Sequence, residues 1–470
     1  MGSRAIGLVG TLVITRFIAP AEYGEVTVAA VLAMTANQLS SVGLGQYLVA
    51  RPDASRSAAF HVTSFHVLLG VLALVLLVLG GPRLAPLFDS PGMARFLPGL
   101  ALGVLLDRVA FVPERILVRD LRFGRVSIGR SAGDLAHSAV SITLAAFGLG
   151  GAAIVLGNVA RASVRLIVFV TSVGRRDWLE PCRYSLRQTR ELLAFGVPMA
   201  LGALCEFASR RWDNLLVSRF FGPGPTGMYN LAYNLADVPA IQVGEQIGDV
   251  LLPSFARMEP ERRPAAFLRS LSLLGLVVFP LAIGLGVVAP TLVATIFDER
   301  WRPLGPMLVL LAALSVARPV GWAVASYLQA RQLPRRIFGL EAFKLVCLVG
   351  LIVSIGRTSP LWTCAAVGIA FGLHALASLW VIRTVDAIPL RRSLGSLVPA
   401  LSASLIMVGV VLAVRVVLTR FGPPPAPLAL LVEVTFGALG YVLAALVLAR
   451  RVSQELVRRL RDALRPPAVG

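Results

Sequence analysis

Charge is scarce in this sequence, and lysine almost absent. Charged residues make up 15% of 470 positions, against about 25% in an ordinary soluble chain. With 56% apolar residues and a mean hydropathy of +0.78, too little polar surface is available to cover a water-soluble body, so the chain belongs in lipid. The single lysine, Lys344, stands in Phe343-Lys344-Leu345, which excludes a GxxxxGK[ST] phosphate loop. No soluble stretch is large enough for an ATPase domain; the longest non-membrane segments are 173–190 and the C-terminal tail. Cys182, Cys205, Cys347 and Cys364 contain no CxxC pair, and His61, His66, His137 and His374 no HExxH. Neither a disulfide framework nor a metal cluster is expected, and no cofactor. The formal charge of +20 is dispersed over short loops without an aromatic-interleaved patch, so nucleic acid is not an expected partner.

What is present is a succession of apolar runs near the length of about 20 residues that crosses the hydrocarbon core. Fourteen spans are predicted, near 5–19, 26–49, 59–80, 96–118, 126–147, 149–172, 191–218, 227–253, 266–296, 304–329, 337–356, 361–382, 394–414 and 428–449. Nineteen arginines stand in the loops after even-numbered spans two to twelve, among them Arg119, Arg122 and Arg125, whereas eight follow odd-numbered ones. The positive-inside rule then puts the even loops and both termini in the cytoplasm. The tail Arg450-Arg451-Val452-Ser453-Gln454-Glu455-Leu456-Val457-Arg458-Arg459-Leu460 reads as a basic amphipathic helix on anionic membrane lipid.

The sequence also repeats itself. Val13-Ile14-Thr15-Arg16-Phe17-Ile18-Ala19-Pro20-Ala21-Glu22-Tyr23-Gly24 aligns without a gap on Leu216-Val217-Ser218-Arg219-Phe220-Phe221-Gly222-Pro223-Gly224-Pro225-Thr226-Gly227, matching Arg, Phe, Pro and Gly. Phe88-Asp89 before Pro98 is echoed at a similar offset by Phe297-Asp298 before Pro306. Two copies in the same order predict two like halves facing a pathway, a plan common in secondary transporters. Because the first segment recurs at an internal helix end, Ala19-Pro20-Ala21 is not read as a signal-peptide cleavage site. The second copy's helix starts near Glu191 and the first begins only at Met1, about twelve residues late, so either an upstream start or a short first helix is expected.

Polar residues inside the spans mark the interior, since a charge at mid-bilayer costs on the order of 2.5 to 3.5 kcal/mol. Span four aligns Arg108, Arg115 and Arg119, with Asp107 and Glu114 on the adjoining strip; span five aligns Arg130, Asp134, His137 and Ser141; span six aligns Asn158, Arg161 and Arg165. Pairing within their own half is one expectation for these three. Span seven carries Glu206, Arg210, Arg211, Asp213 and Asn214, and span eight Asn230, Asn234, Asp237, Glu245 and Asp249, a polar ribbon long enough to line water. Either Arg210 pairs with Asp213 at i,i+3, or Arg210 or Arg211 offers its planar fork to an anion such as a phosphate. Glu341 and Lys344 share a face of span eleven, and a structural pair is expected there. Arg318 precedes Pro319 inside span ten. Proline invites a bend at Pro98, Pro113, Pro198, Pro239, Pro280 and Pro319.

Several short motifs, in order, carry a resemblance: Arg16 with Pro20 through Gly24; Gly43-Leu44-Gly45-Gln46 before Arg51; Asp213 through Gly222 followed by Gly227, Tyr229, Ala232 and Tyr233; Leu251-Leu252-Pro253-Ser254-Phe255-Ala256-Arg257; and Trp301-Arg302-Pro303 before Pro306. Together they resemble bacterial oligosaccharide flippases of the Wzx type, within the multidrug, oligosaccharidyl-lipid and polysaccharide exporter superfamily. The resemblance implies an all-α polytopic membrane protein. Its parts would be a six-helix bundle over 1–172, a cytoplasmic linker over 173–190, a second six-helix bundle over 191–385, two additional helices over 386–449 and a basic tail over 450–470. The late start of this chain at Met1 departs from the family's longer amino end.

The implied activity is transport and not enzymatic turnover. An undecaprenyl-diphosphate-linked oligosaccharide would cross the bacterial inner membrane by alternating access for polysaccharide assembly, alongside polymerase and export proteins. On this reading a cleft lined by spans one, two, seven and eight holds the substrate. Arg210 and Arg211 hold diphosphate; Asp213, Asn214 and Asp237 order the site or contact sugar; Arg16 and Arg219 sit near the outer mouth; Glu206 and Glu245, with Asp237, are the coupling candidates. Two other classes stay open. Export of small cationic molecules fits the acidic span eight, whereas a glycan polymerase or ligase would need larger outer loops than 81–95.

Overall fold

The computed structural model describes residues 10–41, 56–420, 422, 424–450 and 454, and among them every regular element is helical. Residues 10–14 are helical, then come α1 (Pro20–Ser41), α2 (Arg56–Leu84), α3 (Leu97–Arg119), α4 (Phe123–Ala146) and α5 (Gly151–Ser172). A single turn, Arg176–Leu179, leads to two long helices, α6 (Leu186–Phe221) and α7 (Pro223–Arg257). Then follow α8 (Arg263–Ile296), α9 (Leu304–Leu314), α10 (Arg318–Ala330), α11 (Pro334–Ser354), α12 (Pro360–Asp386), α13 (Leu390–Arg420) and α14 (Ala426–Leu448). Among the described residues, helices thus occupy the predicted spans from the second onward. Eight segments among the described residues are long and apolar enough to cross a membrane by length and composition. Gly43 through Gln46, Arg51 and the amphipathic tail lie outside the described residues.

Proline sets many of the starts. Pro20, Pro223, Pro334 and Pro360 each open a helix, where the missing N–H would have had no intrahelical acceptor. Ser359 adds a cap, its hydroxyl accepting from the Trp362 amide at 3.2 Å. Inside predicted span ten, Pro319 cannot donate, and the chain answers with a tighter turn at Ser315–Ala317 that separates α9 from α10.

The chain divides into two compact units, Met1–Asn230 and Leu231–Gly470, the division falling within α7. In the first, Val28 and Val31 of α1 pack with Leu97 and Leu100 of α3 and Val155 of α5, while Val62, Ile116, Val126 and Phe169 join α2 to α5 around a second core. In the other, Tyr327 of α10 is fully buried edge-on to Phe255 and Phe267, 5.2 and 5.1 Å between ring centroids, with Leu274, Leu379 and Ala403 in the same core. Leu68, Leu72, Leu76 and Leu79 of α2, and Leu431, Leu443 and Val447 of α14, are exposed, as helix faces that meet acyl chains must be.

The duplicated motif closes on itself within the first unit. A methyl group on Gly24 would collide with the Pro223 carbonyl oxygen, and one on Gly227 with the Pro20 carbonyl oxygen. These are the aligned positions of the two copies. The starts of α1 and α7 therefore cross with backbone against backbone, a contact only residues without Cβ permit.

Candidate functional site

On α6, Arg210 is half-buried and reaches Glu206 at 3.7 Å, not Asp213, while Glu206 itself is exposed. Arg211 is half-buried and close enough to Tyr23 and Asp213 to act on both electrostatically. Asp213 is fully buried and accepts three hydrogen bonds, from the Tyr229 hydroxyl at 2.6 Å, the Asn214 amide at 2.8 Å and the Asn214 side chain at 3.0 Å. At the next residue of α7, the Asn230 side chain donates to the Thr27 hydroxyl at 3.1 Å. So α6, α7 and α1 share a polar seam in the first unit. Arg16 and Arg219 are both exposed. The side chain of Glu245 lies outside the described residues.

The predicted stripes on spans four to six meet around a second feature of that unit. Arg130 of α4 pairs with Glu114 of α3 at 2.7 Å, and Arg165 of α5 bridges Asp107 at 3.2 Å and Glu114 at 3.4 Å. Of these, Asp107, Glu114 and Arg165 border a hollow of about 340 Å³ whose wall also includes Asn37, Arg108, Phe111 and Arg115. Arg108 is only 2% exposed. It donates to Asn37 Oδ1 at 2.7 Å, to the Asn37 carbonyl at 2.6 Å and to the His66 carbonyl at 2.5 Å, and also to the Ser40 hydroxyl.

In the second unit Asp237 of α7 is buried against Arg318 of α10, which lies over the rings of Tyr233 and Phe371 at 5.3 and 5.0 Å. Lys344 sits over Phe371 at 5.7 Å and pairs with Glu341, which also faces His374 at 3.7 Å. Two cations thus lie over one aromatic ring, each contact favourable in itself. The Glu341 to Lys344 pair agrees with the sequence; the Arg318 to Asp237 pair joins residues considered separately there.

An apolar trough of about 460 Å³ runs along α8, α13 and α14, lined by residues such as Leu281, Leu285, Val411 and Val442. Its polar corner was missed by sequence reasoning. Arg415 of α13 donates to both carboxylate oxygens of Glu433 on α14 at 2.8 and 3.0 Å and to the Val287 carbonyl at 2.8 Å, and Thr291 donates to Glu433 at 3.0 Å. The available signal was one acid inside span fourteen and one base just past the end of span thirteen.

Residues 13–306 match the family model described as "Polysaccharide biosynthesis protein". The chain is 26% identical over 369 residues, 78% of this chain and 74% of the other, to the lipopolysaccharide biosynthesis protein WzxC of Escherichia coli (strain K12). It is 24% identical over 476 residues, 99% of this chain and 93% of the other, to the succinoglycan biosynthesis transport protein ExoT of Rhizobium meliloti (strain 1021). Among solved structures, the inward closed conformation of the lipid II flippase MurJ superposes with a TM-score of 0.78 over 96% of this chain and 97% of that one, at 15% identity. An inward-facing multidrug resistance MATE family transporter gives 0.62 over 81% and 95%, at 16% identity. These two likenesses establish the fold.

Proposed function

Because the chain belongs to the polysaccharide biosynthesis protein family, we propose that it is a flippase, carrying undecaprenyl-diphosphate-linked oligosaccharide across the bacterial inner membrane by alternating access. The observation that carries this reading is the pairing of opposite chemistries in one lipid-embedded chain. Arg210 and Arg211 stand half-buried on α6 of the first unit, and an apolar trough lies in the second. A diphosphate and sugars need polar, cationic surroundings away from water, whereas a polyprenyl tail needs none. The relatives named for lipopolysaccharide and succinoglycan biosynthesis support the same class of cargo.

In this proposal the protein is a transporter and no bond is made or broken. Arg210 and Arg211 hold the diphosphate, whose oxygens match the planar fork of a guanidinium. Asp213 and Asn214 order that site from the same helix, and Asp237 completes the polar face of α7. Arg16 and Arg219 attract the anionic cargo at the outer mouth, and Glu206 and Glu245 are the coupling carboxylates. The repeat boundary at 173–190 separates two six-helix halves, with 386–449 added; even loops and both termini face the cytoplasm, where polymerase-linked assembly has not yet begun.

The test is glycan export in a flippase-null strain carrying the chain. Arg210→Ala with Arg211→Ala should lower export roughly ten-fold or more, the effect of losing about 1.4 kcal/mol of charged contact, and lipid-linked units should accumulate on the cytoplasmic leaflet. Unchanged export in both single variants and the double would remove the two arginines from the site. Failure of the intact chain to restore export would remove the function.

A further inference from the structure

The loop between α3 and α4 is built against local preference. At the end of α3 the Arg122 amide donates to the Leu117 carbonyl at 2.8 Å and the Leu121 amide to the Val118 carbonyl at 3.1 Å, a helix ending whose left-handed residue is ordinarily glycine. Here it is Leu121, at φ 55°, where a side chain strains the backbone. The protein gives that side chain little contact in return: it is 73% exposed, and Phe123, the first residue of α4, is 56% exposed. Ile128 and Leu135, seven residues apart on one face of α4, are exposed as well. So α4 presents apolar side chains to its surroundings from its first residue onward, and lipid must cover them.

Arg122 and Arg125 stand among these apolar groups. Each donates from Nη1 to the same acceptor, the Ser172 carbonyl at the end of α5, at 3.1 Å, so the two nitrogens lie within twice that distance of each other. Neither makes an ion pair among the described residues, and the neighbouring carboxylate of Asp120 is held by Arg119 at 2.9 Å. An open carbonyl at a helix end attracts a cation, but a second cation beside the first adds repulsion. Both guanidinium groups are exposed, and each keeps further N–H donors for a ligand. Phosphate oxygens would accept from both forks at once and relieve the repulsion. A free phosphate would make no use of Leu121 or Phe123, whereas a lipid phosphate brings acyl chains with it. We infer that this loop is a binding site for an anionic phospholipid, with Arg122 and Arg125 clasping the headgroup phosphate and Leu121 and Phe123 seated among the adjoining acyl chains. The cargo proposed above has no part in this site.

The test is lipid binding to the full chain in detergent micelles, read by native mass spectrometry. Phosphatidylglycerol should bind about ten-fold more tightly than phosphatidylcholine, whose headgroup carries no net charge, and inorganic phosphate at equal concentration should not displace it. Arg122→Gln with Arg125→Gln should weaken phosphatidylglycerol roughly five-fold or more, whereas Arg391→Gln with Arg392→Gln, an exposed pair at the start of α13, should leave it unchanged. Leu121→Gly relieves the backbone, so it should not lower the unfolding temperature, yet it should weaken phosphatidylglycerol about two-fold or more. Equal binding of phosphatidylcholine, displacement by inorganic phosphate, a loss no greater at Arg122 and Arg125 than at the control pair, or full affinity after Leu121→Gly would each overturn the assignment. Should the double glutamine variant fail to fold, the comparison of the three ligands on the parent chain and the Leu121→Gly result decide.

Discussion

Arg415 and Glu433 face each other from neighbouring helices, the carboxylate only 1% exposed. Both its oxygens accept from the guanidinium, and Thr291 and the Val287 carbonyl use the remaining positions. Removing one partner of such a pair leaves a buried charge alone, a loss on the order of 3 to 5 kcal/mol, whereas replacing both by apolar groups of similar size is often neutral. Glu433→Ala should therefore lower the unfolding temperature of the detergent-solubilised protein sharply, and Glu433→Leu combined with Arg415→Met should recover most of it. Thermal unfolding of the three proteins checks this; a double variant as unstable as the single would show that the pair does more than balance itself. The same reasoning separates residues that were legible from those that were not. Glu341 and Lys344 lie three apart on one helix, so their pairing follows from helical spacing alone. Arg318 and Asp237 stand 81 positions apart, and nothing in spacing selects one partner from several carboxylates.

The helices themselves were the more legible level. Apolar length fixes where a span can be, and proline at Pro20, Pro223, Pro334 and Pro360 fixes where several begin. Which face of one helix meets which face of another was not legible, because rotation and tilt are set by side-chain packing that a hydropathy run does not encode. Glu114 shows the difference: the stripe containing it was evident, but its joint use by Arg130 and Arg165 depends on how α3, α4 and α5 turn toward each other. At the α1 to α7 crossing the sequence repeat did identify both partners, Gly24 and Gly227, without showing that they touch. An added methyl there meets backbone, which cannot swing aside as a side chain can. Gly24→Ala and Gly227→Ala should each force the helix starts apart, at a cost of about 1 to 3 kcal/mol, and should impair export in the flippase-null strain. A pair of cysteines at positions 21 and 224 should then cross-link more slowly than in the parent; unchanged cross-linking and export would show that the crossing yields freely.

At the scale of the molecule, the arginine count of alternate loops predicts a single orientation. In a chain freed of its four native cysteines, Arg300→Cys should react with an impermeant thiol reagent on intact cells, and Arg176→Cys only after permeabilisation. The reverse pattern would invert the proposed topology. Fold and family could be anticipated because they rest on spans and repeats distributed over hundreds of residues, whereas the hollow around Arg108 depends on a few side chains from five helices. The scarcity of lysine has a practical sequel here. Lys344, 6% exposed and held between Glu341 and the Phe371 ring, is the sole side-chain primary amine in 470 residues. An acylating reagent that seeks amines therefore has one internal target, shielded while α11 and α12 stay together, so its rate of modification becomes a built-in clock for the breathing of that helix pair, readable by mass spectrometry without engineering a label.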